Sequence, residues 1–267
     1  MISQVLAWFA DVANWRGPGG VPVRIVEHLY YTVITVLIAS AIAVPLGLLV
    51  GHTARGGVVL VGLANAMRAL PTLGLLTFLF LLLRSQGVST VIALVVLAVP
   101  PVLAGSYAGV QSVEAGVVDA ARGMGMTSAQ RLFQVELPGA LPLLFGGVRS
   151  AALQVVATTT VAAYVGLGGL GRLLLDGLNS ADYPQMVAGA VLTAGLAVAL
   201  DVLLAGLTRL AMPTGCRLSR QSDSCRLSRQ SDSCRLSRQS DEVRLSMTGA
   251  DTPNVRSRMG GFSGWGS

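Results

Sequence analysis

"DAARGMGMTSAQRLFQVELP" (119–138) is a polar island in an apolar chain. It holds Asp119, Arg122, Arg131, Gln134 and Glu136, with glycine at 123 and 125 and proline at 138. Val113, Val117, Ala120, Ala121 and Met124 recur at spacings of three and four, which places them on one helical face. Gly123 and Gly125 each weaken a helix by roughly 1 kcal/mol relative to alanine, so a bend is expected there. Thr127 and Gln130 form the T-x-x-Q pattern of a capping box, which starts a second helix carrying Leu132, Phe133 and Glu136. Pro138 is expected to stop that helix, because proline lacks a backbone donor and disfavours helix at the preceding residue. The reading is helix, bend, helix, outside the bilayer. Its apolar face must be covered by the chain's own membrane domain, by the lipid surface or by another subunit.

The flanks explain why the island stands out. Of the 267 residues 52% are hydrophobic and only 12% charged, against about 25% charged in soluble domains. Apolar runs near 28–51, 58–83, 90–110, 141–165 and 184–209 each reach the ~20 residues that cross a hydrocarbon core. The expected fold class is therefore all-α, a polytopic membrane protein with five transmembrane helices. The domain reading is an N-terminal extracytoplasmic segment (1–27), a membrane domain (28–210) with the polar loop at 111–140, and a tail (211–267). Asp11 and the missing basic start argue that residues 1–15 are not a cleaved leader.

Five crossings put the two ends on opposite faces. With the hairpin in the cytoplasm, Arg55, Arg122, Arg131 and Arg209 lie inside and Arg16, Arg24, Arg84 and Arg172 outside, a tie. The nine arginines of the tail tip the positive-inside rule toward a cytoplasmic C-terminus and an outside N-terminus. Residues 216–242 repeat a nonapeptide three times, with one large apolar residue, Leu, per copy. Such a segment buries no core and is expected to be disordered. Cys216, Cys225 and Cys234 recur within it at a spacing of nine, unlike zinc-binding pairs, and read as free thiols.

All 19 basic residues are arginine. A Walker A loop requires lysine, so no such ATP site exists in this chain. "GLGGLG" (166–171) follows a helix candidate rather than a strand, which excludes a dinucleotide fingerprint. The spans carry no Ser/His pair, paired aspartates or H-E-x-x-H, so intramembrane enzyme chemistry has no carrier. An ion-coupled secondary transporter would want mid-membrane acids and an internal repeat. Only Asp201 qualifies.

Arg68, Thr72 and Tyr164 are the candidates for a substrate path. For Arg68 a structural place near the cytoplasmic end, beside a kink at Pro71, is the favoured reading, since an arginine at a span centre costs ~2.5–3.5 kcal/mol and must face protein or water. Asp201 is expected to pair with an arginine inside the bundle. Tyr30, Tyr31, Tyr107 and Tyr164 offer either π-faces for a quaternary ammonium or interface anchors. His28 and His52 flank the first span as interfacial polar residues, and no metal site is expected. Gly47 and Gly51 make one G-x-x-x-G packing signal.

The island also carries a resemblance. Asp119-Ala120-Ala121, three residues, Gly125, nine residues, then Val135-Glu136-Leu137-Pro138 resembles the EAA signature of ABC-importer permease subunits, E-A-A-x3-G-x9-I-x-L-P. Two positions depart: Asp119 for Glu and Val135 for Ile. "ARGMGMTSAQRLFQVELPGALPLLFGGVR" (121–149), "VGLGGLG" (165–171), "HLYYTVITVLIASAIAVPLGLLVG" (28–51) and "RALPTLGLLTF" (68–78) are similar to the osmoprotectant branch, which takes glycine betaine, carnitine, choline or proline. The likeness spans about 28–209 and leaves out the tail. It implies a plasma-membrane subunit whose Asp119, Ala120, Ala121, Gly125, Val135, Leu137 and Pro138 form a coupling element docked in a cytoplasmic ATPase subunit. It further implies that the partner binds ATP and Mg, with no cofactor in this chain. A second permease subunit completes the path, and an extracytoplasmic binding protein delivers the ligand. No nucleic-acid partner is implied. Methionine and other amino-acid permeases share the signature and are the next reading.

Overall fold

The computed structural model describes residues 2–53 and 56–211, and every regular element among them is helical. In chain order these are α1 (Ile2–Ala10), α2 (Val21–Thr53), α3 (Gly57–Arg68), α4 (Thr72–Leu83), α5 (Gln86–Gln111), α6 (Ala115–Gly123), α7 (Ser128–Arg131), α8 (Leu137–Ala162), α9 (Gly171–Asn179) and α10 (Tyr183–Ala211). The all-α reading holds. Among the described residues α2, α5, the run from α7 through α8, and α10 are long and apolar enough to cross a membrane, and the α3–α4 pair makes a fifth if it counts as one broken span. The repeats and the three cysteines lie outside the described residues.

The spans hold together by close packing of small side chains. Apolar side chains gain nothing by leaving lipid for one another, so helix association in a bilayer rests on van der Waals fit. Helix α5 is the centre of that fit. Ala39 and Ala43 from α2, Ala98, Val102 and Leu103 from α5, and Ala151 and Val155 from α8 form one buried cluster. Backbones nearly touch at α5–α8: a Cβ on Gly105 would lie 2.7 Å from the Cα of Gly147 and 2.8 Å from the Leu143 carbonyl oxygen. On the other flank, a Cβ on Gly47 would lie 2.6 Å from the Cβ of Ser106, and one on Gly51 would lie 2.8 Å from the Cβ of Val110. The G-x-x-x-G at 47 and 51 is thus a contact of α2 with α5.

Two boundaries differ from the sequence expectation. Residues 58–83 do not form one straight crossing, because α3 and α4 meet at 85°. Pro71 has no amide hydrogen and excludes helix at Leu70, so the ladder breaks there and restarts with Pro71 as the cap of α4. Arg68 therefore ends α3, exposed in the last turn, where a cation complements the helix dipole. Pro138, in turn, does not stop a helix. It sits in the first turn of α8, and the five residues before that helix, Leu132–Glu136, form a π turn. The Leu137 N–H reaches back to the Leu132 carbonyl. The island's second helix thereby runs into the fourth apolar span with no break.

At the far end of α8 the chain turns through Gly166 and Gly169, both at positive φ, with Leu167 and Leu170 buried. The Glu27 carboxylate on α2 accepts the Gly169 N–H at 2.8 Å. His28 is fully buried beside it, its Nε2 3.1 Å from the Val156 carbonyl oxygen. Asp201 does find its arginine: Arg149 on α8 donates to both carboxylate oxygens, each at 2.6 Å. This planar fork ties α10 to α8.

Two alanine substitutions separate packing from helix propensity. Gly62→Ala faces open space and should stabilise by up to about 1 kcal/mol. Gly105→Ala meets backbone on α8 and should destabilise by about 1–3 kcal/mol despite the same propensity gain. Thermal midpoints of the two variants in detergent should move in opposite directions.

Candidate functional site

The polar island folds as the sequence indicates at its bend and its cap. Helix α6 ends in a Schellman arrangement. The Gly125 N–H bonds the Arg122 carbonyl at 3.0 Å, and the Met126 N–H reaches the Ala121 carbonyl at 3.2 Å. This closure needs a left-handed residue at the position after the cap, and Gly125 supplies it with φ +80°. Thr127 then caps α7 with the full capping box: its side chain accepts from the Gln130 N–H, and the Gln130 side chain accepts from the Thr127 N–H at 2.9 Å.

The expected apolar face of α6 is only partly used within the chain. Ala121 is buried and Val113 half-buried, but Val117, Ala120 and Met124 are exposed. Met124 is 73% exposed and Phe133, in the π turn, 62%. Large apolar side chains are thus presented outward on both arms of the hairpin. Asp119 is exposed and 3.5 Å from Arg122, one turn on, a surface pair of little energetic weight. Val135, Leu137 and Pro138 are half-buried. Leu137 and Leu132 pack against Leu48 of α2, Val110 of α5 and Ala140 of α8. The hairpin is therefore rooted by the end of the signature and exposed along α6.

What roots it in polar terms was not foreseen. Glu136 is buried, 4% exposed, and each carboxylate oxygen has a partner. Arg131 Nε–H donates to Oε1 at 3.0 Å, and His52 Nδ1 donates to Oε2 at 2.6 Å. His52 Nε2 lies 3.1 Å from an Arg131 terminal nitrogen and 2.6 Å from Ser128 Oγ. A guanidinium only donates, so Nε2 is the accepting nitrogen and Nδ1 carries the proton. Arg131 and Glu136 are five residues apart, which would set them on different faces of an α-helix. The π turn, with its i→i+5 bonding, brings them onto the same side. His52, expected to be interfacial, is instead the link from the last turn of α2 to this pair. Its sequence signal was slight: a histidine just after an apolar span, paired with an acid 84 positions away.

The substrate-path candidates are not gathered into one site. Arg68 and Thr72 flank the α3–α4 bend, exposed and half-buried respectively, and Tyr164 sits exposed on the 3-10 turn Ala163–Val165 at the end of α8. Among the described residues no hydrogen bond joins them. Arg68 and Tyr107 line a small recess between α3 and α5. Tyr30 and Tyr31, rings edge to face with centroids 5.6 Å apart, line a shallow apolar recess between α2 and α5. Among the described residues no cluster of three or more metal-binding side chains occurs.

Residues 43–211 match the family described as "Binding-protein-dependent transport system inner membrane component". The chain is 33% identical over 189 residues to the glycine betaine/carnitine/choline transport system permease protein OpuCB of Bacillus subtilis, covering 71% of this chain and 87% of that protein. It is 36% identical over 196 residues to the osmoprotectant import permease protein OsmW of Salmonella typhimurium, covering 72% and 91%. In fold it matches a chain of the MetNI methionine ABC transporter in inward-facing conformations, with TM-score 0.64 and 23% identity over 71% of this chain and 95% of that one.

Placing a β-branched side chain in the left-handed region costs about 1–2 kcal/mol. Gly125→Val should therefore unlock the end of α6, and hydrogen exchange of the Gly125 and Met126 amides should accelerate by roughly tenfold for that cost. Gly116→Ala, in open space on the same helix, should slow exchange in α6.

Proposed function

Because the chain belongs to the family of binding-protein-dependent transport system inner membrane components, we propose that it is the permease subunit of an ABC importer for small osmoprotectants. The substrate class is that named for its relatives: glycine betaine, carnitine, choline and similar solutes. Relatives named for these solutes at 30–36% identity favour this reading over an amino-acid importer.

The observation that carries the coupling role is the outward presentation of Met124 and Phe133 on a hairpin rooted in the bundle. An apolar pair held on a rigid, polar, exposed element fits a protein socket better than it fits water. In this reading Asp119, Ala120, Ala121 and Gly125 form the docking arm, and Val135, Leu137 and Pro138 join it to the fourth span. The socket belongs to a cytoplasmic ATPase subunit, which binds ATP and its Mg. The hairpin and the C-terminus then face the cytoplasm and α1 faces outward. A second permease subunit completes the pathway, and a binding protein docks on the outer face. Closing of the ATPase pair carries the hairpins, and the spans rock between inward-open and outward-open states. Arg68, Thr72 and Tyr164 remain the proposed contacts along that path. Residues 28–210 are the permease unit in this scheme, with 1–27 its outer segment and 211–267 an appended tail.

Cysteine placed at Met124 or Phe133, in a background lacking the three tail cysteines, should cross-link to the ATPase subunit in membranes. Cysteine at Tyr164, at the opposite end of α8, should not. Gly125→Asp should reduce uptake of labelled glycine betaine at high osmolarity to background while leaving the amount of chain in the membrane unchanged. Uptake at the wild-type rate would remove the coupling role from the hairpin, and capture of the ATPase by Tyr164→Cys would reverse the orientation.

A further inference from the structure

We propose that α2 is a tie rod in the transport cycle, with His52 and Glu27 as its positioning residues. The inference rests on the coupling role argued above. The two side chains are twenty-five positions apart on one helix, a separation of about 37 Å. His52 grips the hairpin at one end and Glu27 grips the glycine loop Gly166–Leu170 at the other. Both gripped segments flank α8, one at its start and one beyond its end. Helix α2 therefore runs beside α8 and is fastened to the chain on either side of it.

The inner fastening is specific in its chemistry. His52, Arg131 and Glu136 side chains are 10%, 12% and 5% exposed, so the cluster is nearly dry. Arg131 and Glu136 belong to the hairpin itself, and their ion pair would survive the loss of His52. The imidazole is what extends the network onto α2: one nitrogen faces the carboxylate, the other faces Ser128 and Arg131. Gln111 adds a second tie, its side-chain amide donating to the Gly51 carbonyl at 3.1 Å. Hydrogen bonds in a dry site are stronger and more directional than at a wet surface, so hairpin displacement is passed to α2 rather than lost in side-chain slack.

The outer fastening has a different form. Glu27 accepts the backbone N–H of Gly169, and a Cβ on Gly168 would fall against the same carboxylate. The loop lies directly on the acid. Arg24, one turn back, is 3.6 Å from Glu27 and holds it in place. A movement of α2 along or about its axis is then delivered to the loop that follows α8.

The experiment uses the full complex of permease, ATPase and binding protein in proteoliposomes, with radiolabelled glycine betaine as the probe. The readout is betaine moved per ATP hydrolysed, in complexes that retain the ATPase subunit. His52→Ala should lower this ratio at least about fivefold, with hydrolysis in the absence of binding protein within about twofold of wild type. His52→Gln, which keeps a donor toward Glu136, should restore the ratio to within about twofold. Glu27→Ala should lower the ratio as His52→Ala does. A wild-type ratio in His52→Ala or in Glu27→Ala overturns the proposal.

A second arm covers failure of His52→Ala to assemble. Cysteines at Thr53 and Ala129, one position beyond His52 and Ser128 so that the imidazole contact is kept, are bridged in a background without the tail cysteines by a short bis-methanethiosulfonate, whose disulfides are cleaved on reduction. If α2 and the hairpin move as one body, bridged complexes should keep at least about half of their uptake. Loss of uptake on bridging, with recovery on reduction, overturns the proposal. A wild-type complex that hydrolyses ATP but moves no betaine refutes the substrate reading instead. A wild-type chain that captures no ATPase refutes the coupling role.

Discussion

In a bilayer the tails of lipids are as apolar as leucine, so a bundle of apolar helices must earn its structure by close contact. The rest of this chain depends on that contact at α5. Gly105 lets α5 and α8 approach until their backbones meet, and Gly47 and Gly51 do the same for α2 against α5. Small residues at these positions leave no slack between the three helices. Any element bonded to one of them is thereby held close to the other two. The hairpin is such an element, since it leaves the end of α5 and continues into α8.

The hairpin combines a rigid root with an exposed tip. The root is built from Leu132 and Leu137 in an apolar nest and from a buried carboxylate satisfied on both oxygens. A buried acid without partners would be costly, whereas here a guanidinium and an imidazole hold it. The tip is ordered by its own backbone through the Schellman closure at Gly125 and the capping box at Thr127. Four residues of the signature thus have a local physical reason apart from any partner. Gly125 reverses the chain, Ala121 is the buried residue of α6, Leu137 fills the nest, and Pro138 stands in the first turn of α8 directly after the π turn.

Polar groups within the apolar spans follow the same economy. Arg149 and Asp201 satisfy one another across α8 and α10 in a bidentate pair. Glu27 and His28 satisfy backbone groups at the end of the bundle opposite the hairpin. The Arg149–Asp201 pair joins α10 to α8, and His28 adds a polar contact between α2 and α8, which already pack closely. In the coupling scheme proposed above, such fixed joints would carry a displacement of the hairpin across the bundle.

Periodicity and composition alone were enough for the all-helical class, four of the five spans, the bend at Gly125 and the cap at Thr127. Each follows from interactions within a few residues or from partition into lipid, and such terms are written along the chain. The α3–α4 break was half legible: Pro71 marks the kink, but the 85° turn is set by what the two pieces pack on. Pro138 begins a helix rather than ending one, because a proline does either according to its turn, and here it follows a π turn in which Glu136 meets Arg131 and His52. The pairing of Arg149 with Asp201 could be anticipated in kind but not in partner. The joint between His52 and Glu136 belonged wholly to the tertiary structure. It links residues 84 positions apart, and no local preference records which distant side chain will arrive to satisfy a buried charge.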